Sequence, residues 1–442
     1  MRILHVPFTF APEAMGGTEY YVQALALESL NWGHEAVIAA PGSEEATYQV
    51  GDINIFRFLA VDGPDISYGA EDSTAASSFE KILSQVRPDI VHLHAFSSAV
   101  STRLLTMAKL HSAKTVFTYH TPTVSCFRGT MMAFGEMPCD GVLLPERCTA
   151  CTLASHGVSA SLAGIGSRIP APVGRVIGRL GLRRRHWLGI RMRALVEDGH
   201  RRFHALMAES DHVVAVCDWV GDVLQRNGVP EAKLSIIRQG LIQPSVSSTP
   251  ESPEKRQDGV LKLAYFGRLD STKGIDTLIQ AVLSMPNLPL QLSVFGISQK
   301  GSESFAQTLK QLAAQDRRIA FRSPIKGPEV LKTMALFDAI CVPSTWLETG
   351  PLVVYEAFGA GVPVLGSRLG GISELVTDQQ DGLLVEAGNV SAWADAIKRL
   401  VSDADLLPQL ARNIKTPRTM SDVAQDMHDI YQRLCSNSRP VS

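Results

Sequence analysis

Two glutamates, Glu348 and Glu356, stand eight positions apart in STWLETGPLVVYEAFGAGVPVLGSRLGG, a stretch from Ser344 to Gly371 that is otherwise almost wholly apolar. Two cations, Arg268 and Lys273, lie close together in GRLDSTKG. An ionised carboxylate is a pure acceptor and suits the hydroxyl donors of a sugar. Arginine presents a planar fork, and lysine a point charge, to a diphosphate. The two sets together describe a ligand that carries both sugar and phosphate. Spacing alone leaves a plainer reading open, in which Glu348 caps a helix, Glu356 is a solvated helix residue and the cations sit on the surface.

The surrounding elements give these residues a place. AICVPS reads as a strand ending at Ser344 and VVYEAFGAG as a helix, with Pro351 suited to its first turn. Glu348 then lies in the loop before the helix, and Glu356 about one and a half turns in, at ~3.6 residues per turn. Both face the carboxyl edge of a sheet, where open α/β folds bind ligands and a helix N-terminus offers N–H groups to phosphate. GRLDSTKG follows the strand KLAYFGRL at the same kind of edge. Near the N-terminus, Gly16 and Gly17 in MGGTEYY stand between the strand RILHVPF and a helix over Glu19 to Asn31, a turn that lets a ligand approach closely.

The chain has 442 residues, 45% hydrophobic and 19% charged, enough for two cores. Strand-like runs alternate with amphipathic helices in two series, the pattern of parallel sheets covered by helices. The first holds RILHVPF, EAVIAAPG, INIFRF, DIVHLHAF and TVFTYHT; the second holds KLAYFGRL, QLSVFG, IAFRS, AICVPS and PVLGSR. Between them QPSVSSTPESPEKRQDG is rich in serine, proline and charge. The expected organisation is therefore an α/β chain of two doubly wound, Rossmann-like domains facing across a cleft. The first covers 1–242, a linker 243–260 and the second 261–417, while 418–442 forms a last helix crossing back to the first domain.

A net charge of -2 gives no general case for nucleic acid. MRILHVPFTF lacks the apolar core of a signal peptide, and no apolar run reaches the ~18 residues of a spanning helix. Seven cysteines, an odd number, argue against a disulfide framework. The expectation is a cytoplasmic protein, at most peripheral on the inner face of a membrane.

The motifs GGTEYYVQALALESLNWGHE, VHLHA, VFTYHT, VVAVCDWVGDVLQRNGVPEAKLSIIRQG, GRLDSTKGIDTLIQA, the pair of glutamates and GGISELVTDQQDGLLVEAG resemble the retaining family-4 glycosyltransferases of the GT-B fold. The resemblance covers most of the chain. It implies a nucleotide diphosphate sugar as donor and a glycan, lipid-linked or small-molecule acceptor. Glu356 would hold the ribose hydroxyls, Glu348 would lie by the transferred sugar, Arg268 and Lys273 would bind the diphosphate, and His120 would contact the sugar side. One departure stands out. Gly350 and Pro351 follow the first glutamate where many relatives have Phe-Gly, so a phosphate-binding N–H is lost and Gly350 or Leu352 must supply it. Asp403 to Asp405 is the only Asp-x-Asp and lies in a helical region, so no catalytic divalent metal is implied. Glu348 and Lys273 are expected as loop residues in a polar cleft whose replacement leaves the fold intact. A non-catalytic sugar-nucleotide-binding or scaffolding protein, and a sugar-nucleotide epimerase, share these features.

Two segments within about 121–205 go beyond this pattern. Cys126, Cys139, Cys148 and Cys151 form a full tetrahedral complement for a structural zinc, with unligated thiols or redox use as alternatives. From Arg168 to Arg202 ten arginines stand among Val, Ile, Leu and Trp187. That composition suits an anionic membrane surface or a lipid-diphosphate acceptor, or equally a solvated amphipathic helix packed on the domain.

Overall fold

The computed structural model describes residues 1–13, 15–61, 71–182, 187–242, 259–298, 301–325 and 327–436. Most of the expected linker, and Arg183, Arg184 and Arg185, lie outside the described residues. The chain divides into two compact units, Met1–Arg238 with Met420–Ser442, and Gln239–Thr419.

The first unit is built on strands β1 (Arg2–Val6), β2 (Glu35–Gly42), β3 (Ala46–Val50), β4 (Ile53–Leu59), β5 (Ile90–Leu93), β6 (Lys114–Tyr119), the short hairpin β7 (Met132–Ala133) and β8 (Met137–Pro138), then β9 (His212–Ala215) and β10 (Leu234–Ile236). Its main sheet has the order β10-β9-β6-β5-β1-β2-β4-β3. All neighbours are parallel except β3, which returns antiparallel along β4. Strand β3 carries no continuous apolar run: its residues alternate between half-buried and exposed, as an edge strand's do. The central strands are near-continuous buried runs, the pattern that helices on both faces impose. Helix Ser73–Val86 shows the local logic. Asp72 caps it by accepting from the N–H groups of Thr74 and Ala75 at 2.8 and 3.2 Å, and Arg87 ends it in a left-handed conformation. Helix Met420–Ser436 packs in this unit, where His92 Nδ1 and the Tyr431 hydroxyl lie 2.6 Å apart.

In the second unit β11 (Leu261–Arg268), β12 (Leu290–Ile297), β13 (Ile319–Arg322), β14 (Ala339–Val342), β15 (Val364–Ser367) and β16 (Gly382–Val385) form one parallel sheet, ordered β13-β12-β11-β14-β15-β16. Its core gathers Leu263, Leu292, Cys341 and Leu365 from the strands against Leu278, Trp393 and Ile397 from the helices. Because β11 lies beside β14, with Leu263 opposite Ala339, the loops that follow these strands emerge side by side at the carboxyl edge.

Candidate active site

The loop after β11 and the loop after β14 are stitched together before any side chain is considered. Thr345 N–H donates to the Thr272 carbonyl at 2.8 Å, and Asp270 accepts from the Thr272 N–H at 2.9 Å and hydroxyl at 2.6 Å. Gly274 makes this approach possible: its φ is +62°, and a Cβ there would stand 2.0 Å from the Pro343 carbonyl oxygen. On the far side, Gly371 N–H donates to the Glu348 carbonyl at 2.7 Å, again where a side chain would collide.

This frame sets Lys273 against Glu348. The ammonium donates to Glu348 Oε1 at 2.5 Å, the Ser344 hydroxyl donates to the same oxygen at 2.7 Å, and Lys273 lies 5.2 Å from the centre of the Trp346 ring. Burial pushes the Glu348 carboxyl up, but the Lys273 charge and hydrogen bonds from Lys273, Ser344 and Trp346 outweigh it and hold the group below the ordinary carboxylate value. The side chains are only 19% and 8% exposed, so the two loop residues form a buried ion pair. Arg268 ends β11, its carbonyl accepting from the Tyr265 hydroxyl at 2.5 Å, and its charge reaches Asp270.

Pro351 is the N-cap of helix Leu352–Gly359 and does not lie within its first turn, a one-residue correction. The first backbone donors at this end of the helix are therefore Leu352 and Val353. Gly350 packs on Gln239, whose amide would stand 3.3 Å from an added Cβ. Gln239 is buried, and its Oε1 has no hydrogen-bond partner among the described residues. Sequence reasoning missed it as a site residue because a lone glutamine before a glycine carries no charge or spacing signal. Glu356 lies in the second turn, half-buried, and among the described residues its carboxylate has neither a hydrogen-bond nor an ion-pair partner. Desolvation alone pushes it up to about 7.

That shift gives a first expected result. The folded protein holds the Glu356 proton up to about pH 7, whereas the unfolded chain releases it near 4.5, so stability falls as pH rises from 4.5 through 7. Glu356→Gln has nothing to ionise. At pH 8 it should melt higher than the parent while binding nucleoside diphosphate more weakly, and calorimetry with a binding titration reads both. An unchanged melting temperature would mean that Glu356 is better solvated than its surroundings indicate.

The remaining residues belong to the first unit. Gly16 and Gly17 open helix Gly17–Asn31, and the Gly16 N–H donates to Glu19 Oε2 at 2.8 Å. Tyr21 of that helix packs edge-on against His120, which directly follows β6, with ring centres 4.8 Å apart. His120 joins three more buried histidines, from β1 and the β5 edge: His5, His92 and His94. None of these three was singled out in the sequence as a site residue. Among the described residues, His5, His92 and His94 are the group whose ligand atoms fall within 4.8 Å of one another.

Cys126, Cys139, Cys148 and Cys151 form no such group. Cys148 and Cys151 lie on helix Pro145–Ser155, and Cys151 Sγ accepts from the Phe134 N–H at 3.2 Å. Their loop also has protein partners. Arg147 pairs with Asp140, Asn227 donates to the Gly141 carbonyl at 2.9 Å, and Cys139 N–H donates to the Met131 carbonyl at 2.8 Å. Among the described residues of the basic segment several arginines are also engaged. Arg175 meets Glu197 and Asp198, Arg193 meets Glu197, Arg201 meets Asp198 and Arg168 meets Glu146.

A cavity of about 1190 Å³, lined in part by Met1, Asp89, Asp426 and Arg433, opens near the amino ends of β1 and β5. Ligands of open parallel sheets bind at the opposite, carboxyl ends, where the residues above gather.

The model described as Glycosyltransferase Family 4 matches residues 15–241, half of the chain, and that described as Glycosyl transferases group 1 matches 249–416. The chain belongs to glycosyltransferase family 4, and its fold is GT-B. Among similar proteins is a D-inositol 3-phosphate glycosyltransferase of Corynebacterium urealyticum, 28% identical over 182 residues, 39% of this chain and 43% of that protein. The enzyme of the same name from Corynebacterium efficiens is 33% identical over 148 residues, 32% of this chain and 34% of that protein. The chain thus matches well under half the length of these curated relatives. Among solved structures, Anabaena HepE in complex with UDP and glucose aligns over 98% of this chain and 100% of its own at a TM-score of 0.64 and 16% identity. Sucrose-phosphate synthase from Thermosynechococcus elongatus aligns over 99% and 100% at 0.65 and 18%. At such identities these two speak for the fold alone.

Proposed function

We propose that the protein is a retaining glycosyltransferase that moves a sugar from a nucleotide diphosphate donor to an acceptor hydroxyl. The observation that carries this is the arrangement at one sheet edge: a buried Lys273–Glu348 pair, with Glu356, which has no partner among the described residues, on the helix that follows. Glu356, once ionised, accepts the ribose hydroxyls. Arg268, Lys273 and the N–H groups of Gly350 and Leu352 face the diphosphate and stabilise the charge that grows as it leaves, preorganised electrostatic catalysis. Glu348 orients the transferred sugar, His120 is a candidate sugar contact of the first unit, and the acceptor oxygen enters on the face the diphosphate leaves. Gly16 and Gly17 leave room for the ligand on the first unit. No step draws on a metal at the cysteines.

The test is a thermal-shift screen with uridine, guanosine and adenosine diphosphate sugars, followed by mass analysis of the products. One donor should raise the melting temperature and be consumed, with nucleoside diphosphate and a glycosylated acceptor as products. Binding without consumption would favour the scaffolding reading, and conversion of the donor without an acceptor would favour an epimerase.

We further assign the acceptor to the lipid-linked class. Leu162 and Ile165 on helix Ala160–Ser167, and Val173, Val176 and Leu180 on or just past helix Ala171–Arg179, are all exposed. The last three recur at i, i+3 and i+7, one helix face, and Arg179 is exposed beside them. An apolar face edged by arginine fits an anionic bilayer, whereas a small polar acceptor would leave it unused. Vesicles of anionic lipid should retain the protein and release it as salt rises. Val176→Glu with Leu180→Glu should weaken retention about thirtyfold or more, since each change removes roughly 1 kcal/mol or more of apolar insertion. Equal retention by the variant would exclude this face.

A further inference from the structure

The loop that runs from Cys126 to helix Pro145–Ser155 has little regular structure to hold it. Its hairpin consists of two residue pairs, Met132 with Pro138 and Ala133 with Met137, and a two-stranded hairpin so short is marginal in water. Met131 and Phe134 have φ of +53° and +54°, left-handed values that a side chain makes costly. Such conformations persist where the surroundings over-determine them. The Arg147–Asp140 pair and the Asn227 contact with Gly141 fix only the end of the loop.

The four cysteines stand where this loop turns. Cys126 comes before the hairpin, its carbonyl accepting from the Gly129 N–H at 2.9 Å. Cys139 comes just after it, and its Sγ accepts from the Gly141 N–H, two residues on, at 3.5 Å. Cys148 and Cys151 are three residues apart on one face of the helix, and Cys151 Sγ accepts from the Phe134 N–H at the hairpin tip. N–H groups aimed at a sulfur favour its thiolate, the form that binds metal. A charge on Cys126 would act on both Cys139 and Cys148, a charge on Cys139 would act on Cys148, and the Arg147 cation favours the ionised form of both. Three sulfurs and a cation therefore share one neighbourhood, with Cys151 about one helical turn from Cys148.

The four Sγ atoms are not all within 4.8 Å of one another. A tetrahedral site with metal–sulfur bonds of ~2.3 Å gathers them to about 3.8 Å. None of the four is in a disulfide and all are only half-buried. One staggered step about χ1 carries a cysteine sulfur by about 3 Å, so side-chain rotation is the movement that gathering requires.

We propose that Cys126, Cys139, Cys148 and Cys151 bind one zinc ion that ties both ends of the hairpin to helix Pro145–Ser155. Four thiolates are a soft and complete tetrahedral set, which leaves no open position for catalysis and makes the role structural. Binding displaces the thiol protons and couples the order of the loop to the metal. The assignment rests on this segment and is independent of the transfer reaction.

Elemental analysis of the full chain, purified without added metal or chelator, should find about one zinc per chain. Cobalt(II) exchanged into the site should show the strong sulfur-to-cobalt charge-transfer absorption of a thiolate set. Cys148→Ser with Cys151→Ser should lose the zinc, and hydrogen exchange should then quicken in peptides covering 126–141 but not in those from β11 and β14. Cys435→Ser, on helix Met420–Ser436, should keep both zinc and protection. Less than about a tenth of a zinc per chain with all four thiols open to a thiol reagent, a disulfide among the four, or iron with visible absorbance would each overturn the proposal. Zinc retained by the double variant would overturn it too, because the ion would then be held elsewhere. If the double variant does not fold, the metal content and thiol reactivity of the parent still decide.

Discussion

Replacing Lys273 by alanine should reduce sugar transfer by roughly 10²–10³-fold, the scale of losing one preorganised charge at a leaving group, about 2–4 kcal/mol. The same change should also lower the melting temperature of the second unit. The reason is the partner it leaves behind: Glu348 Oε1, 2.5 Å from the ammonium, sits in a loop that buries it. Breaking a buried pair by removing one member strands the other, at a typical cost of about 3–5 kcal/mol. Glu348→Gln separates the two effects. Its amide oxygen still accepts from Lys273 and Ser344, so stability should change little while transfer falls by a similar factor. Steady-state rates with calorimetry on both variants check this. Transfer at the parent rate in either would remove the pair from the chemistry, and an unchanged melting temperature in Lys273→Ala would mean that the stranded carboxylate finds water.

Acidification should unfold the first unit well before the second. All 12 histidines of the chain fall in the first unit and none between Gln239 and Thr419. Burial pushes His5 and His120 down to about 3, His200 and His212 down to about 4, and His92 and His94 well below the ordinary value. The unfolded chain binds protons at these sites near pH 6.5 and the folded unit does not, so stability is complete above 6.5 and falls as pH drops toward the folded values. At pH 5, His5 and His120 should each have lost about 2 kcal/mol relative to pH 7, and His92 and His94 act in the same direction. The sum approaches the whole stability of a typical domain, about 5–15 kcal/mol. Glu356, the strongly raised carboxyl of the second unit, works oppositely and stabilises that unit on mild acidification. Hydrogen exchange followed by peptide mass, corrected for the intrinsic effect of pH, should show protection lost at pH 5 in peptides from β1, β5 and β6 and kept in those from β11 and β14. Parallel loss in both units would mean that the buried histidines are hydrated.

What could be read from sequence was whatever depends on neighbours along the chain. Hydrophobic runs of strand length alternating with amphipathic helices specified two parallel α/β units. A parallel strand that leads into a helix must place its connecting loop at the carboxyl edge, so Glu348, Glu356, Arg268 and Lys273 could be put at such edges without coordinates. Strand β3 was hidden because an edge strand needs no continuous apolar run, and Pro351 shifted by one position because helix ends are weakly specified locally.

Strand order lay beyond the sequence. Only the placement of β11 beside β14 turns two edge loops, 75 residues apart at Lys273 and Glu348, into an ion pair. Only the adjacency of β1, β5 and β6 joins His5, His94 and His120, each of which alone reads as an ordinary residue in or just after a strand. The same holds for the shift at Glu356, which a residue type cannot carry, because the free energy of an ionised group depends on the water that the surrounding fold removes from it.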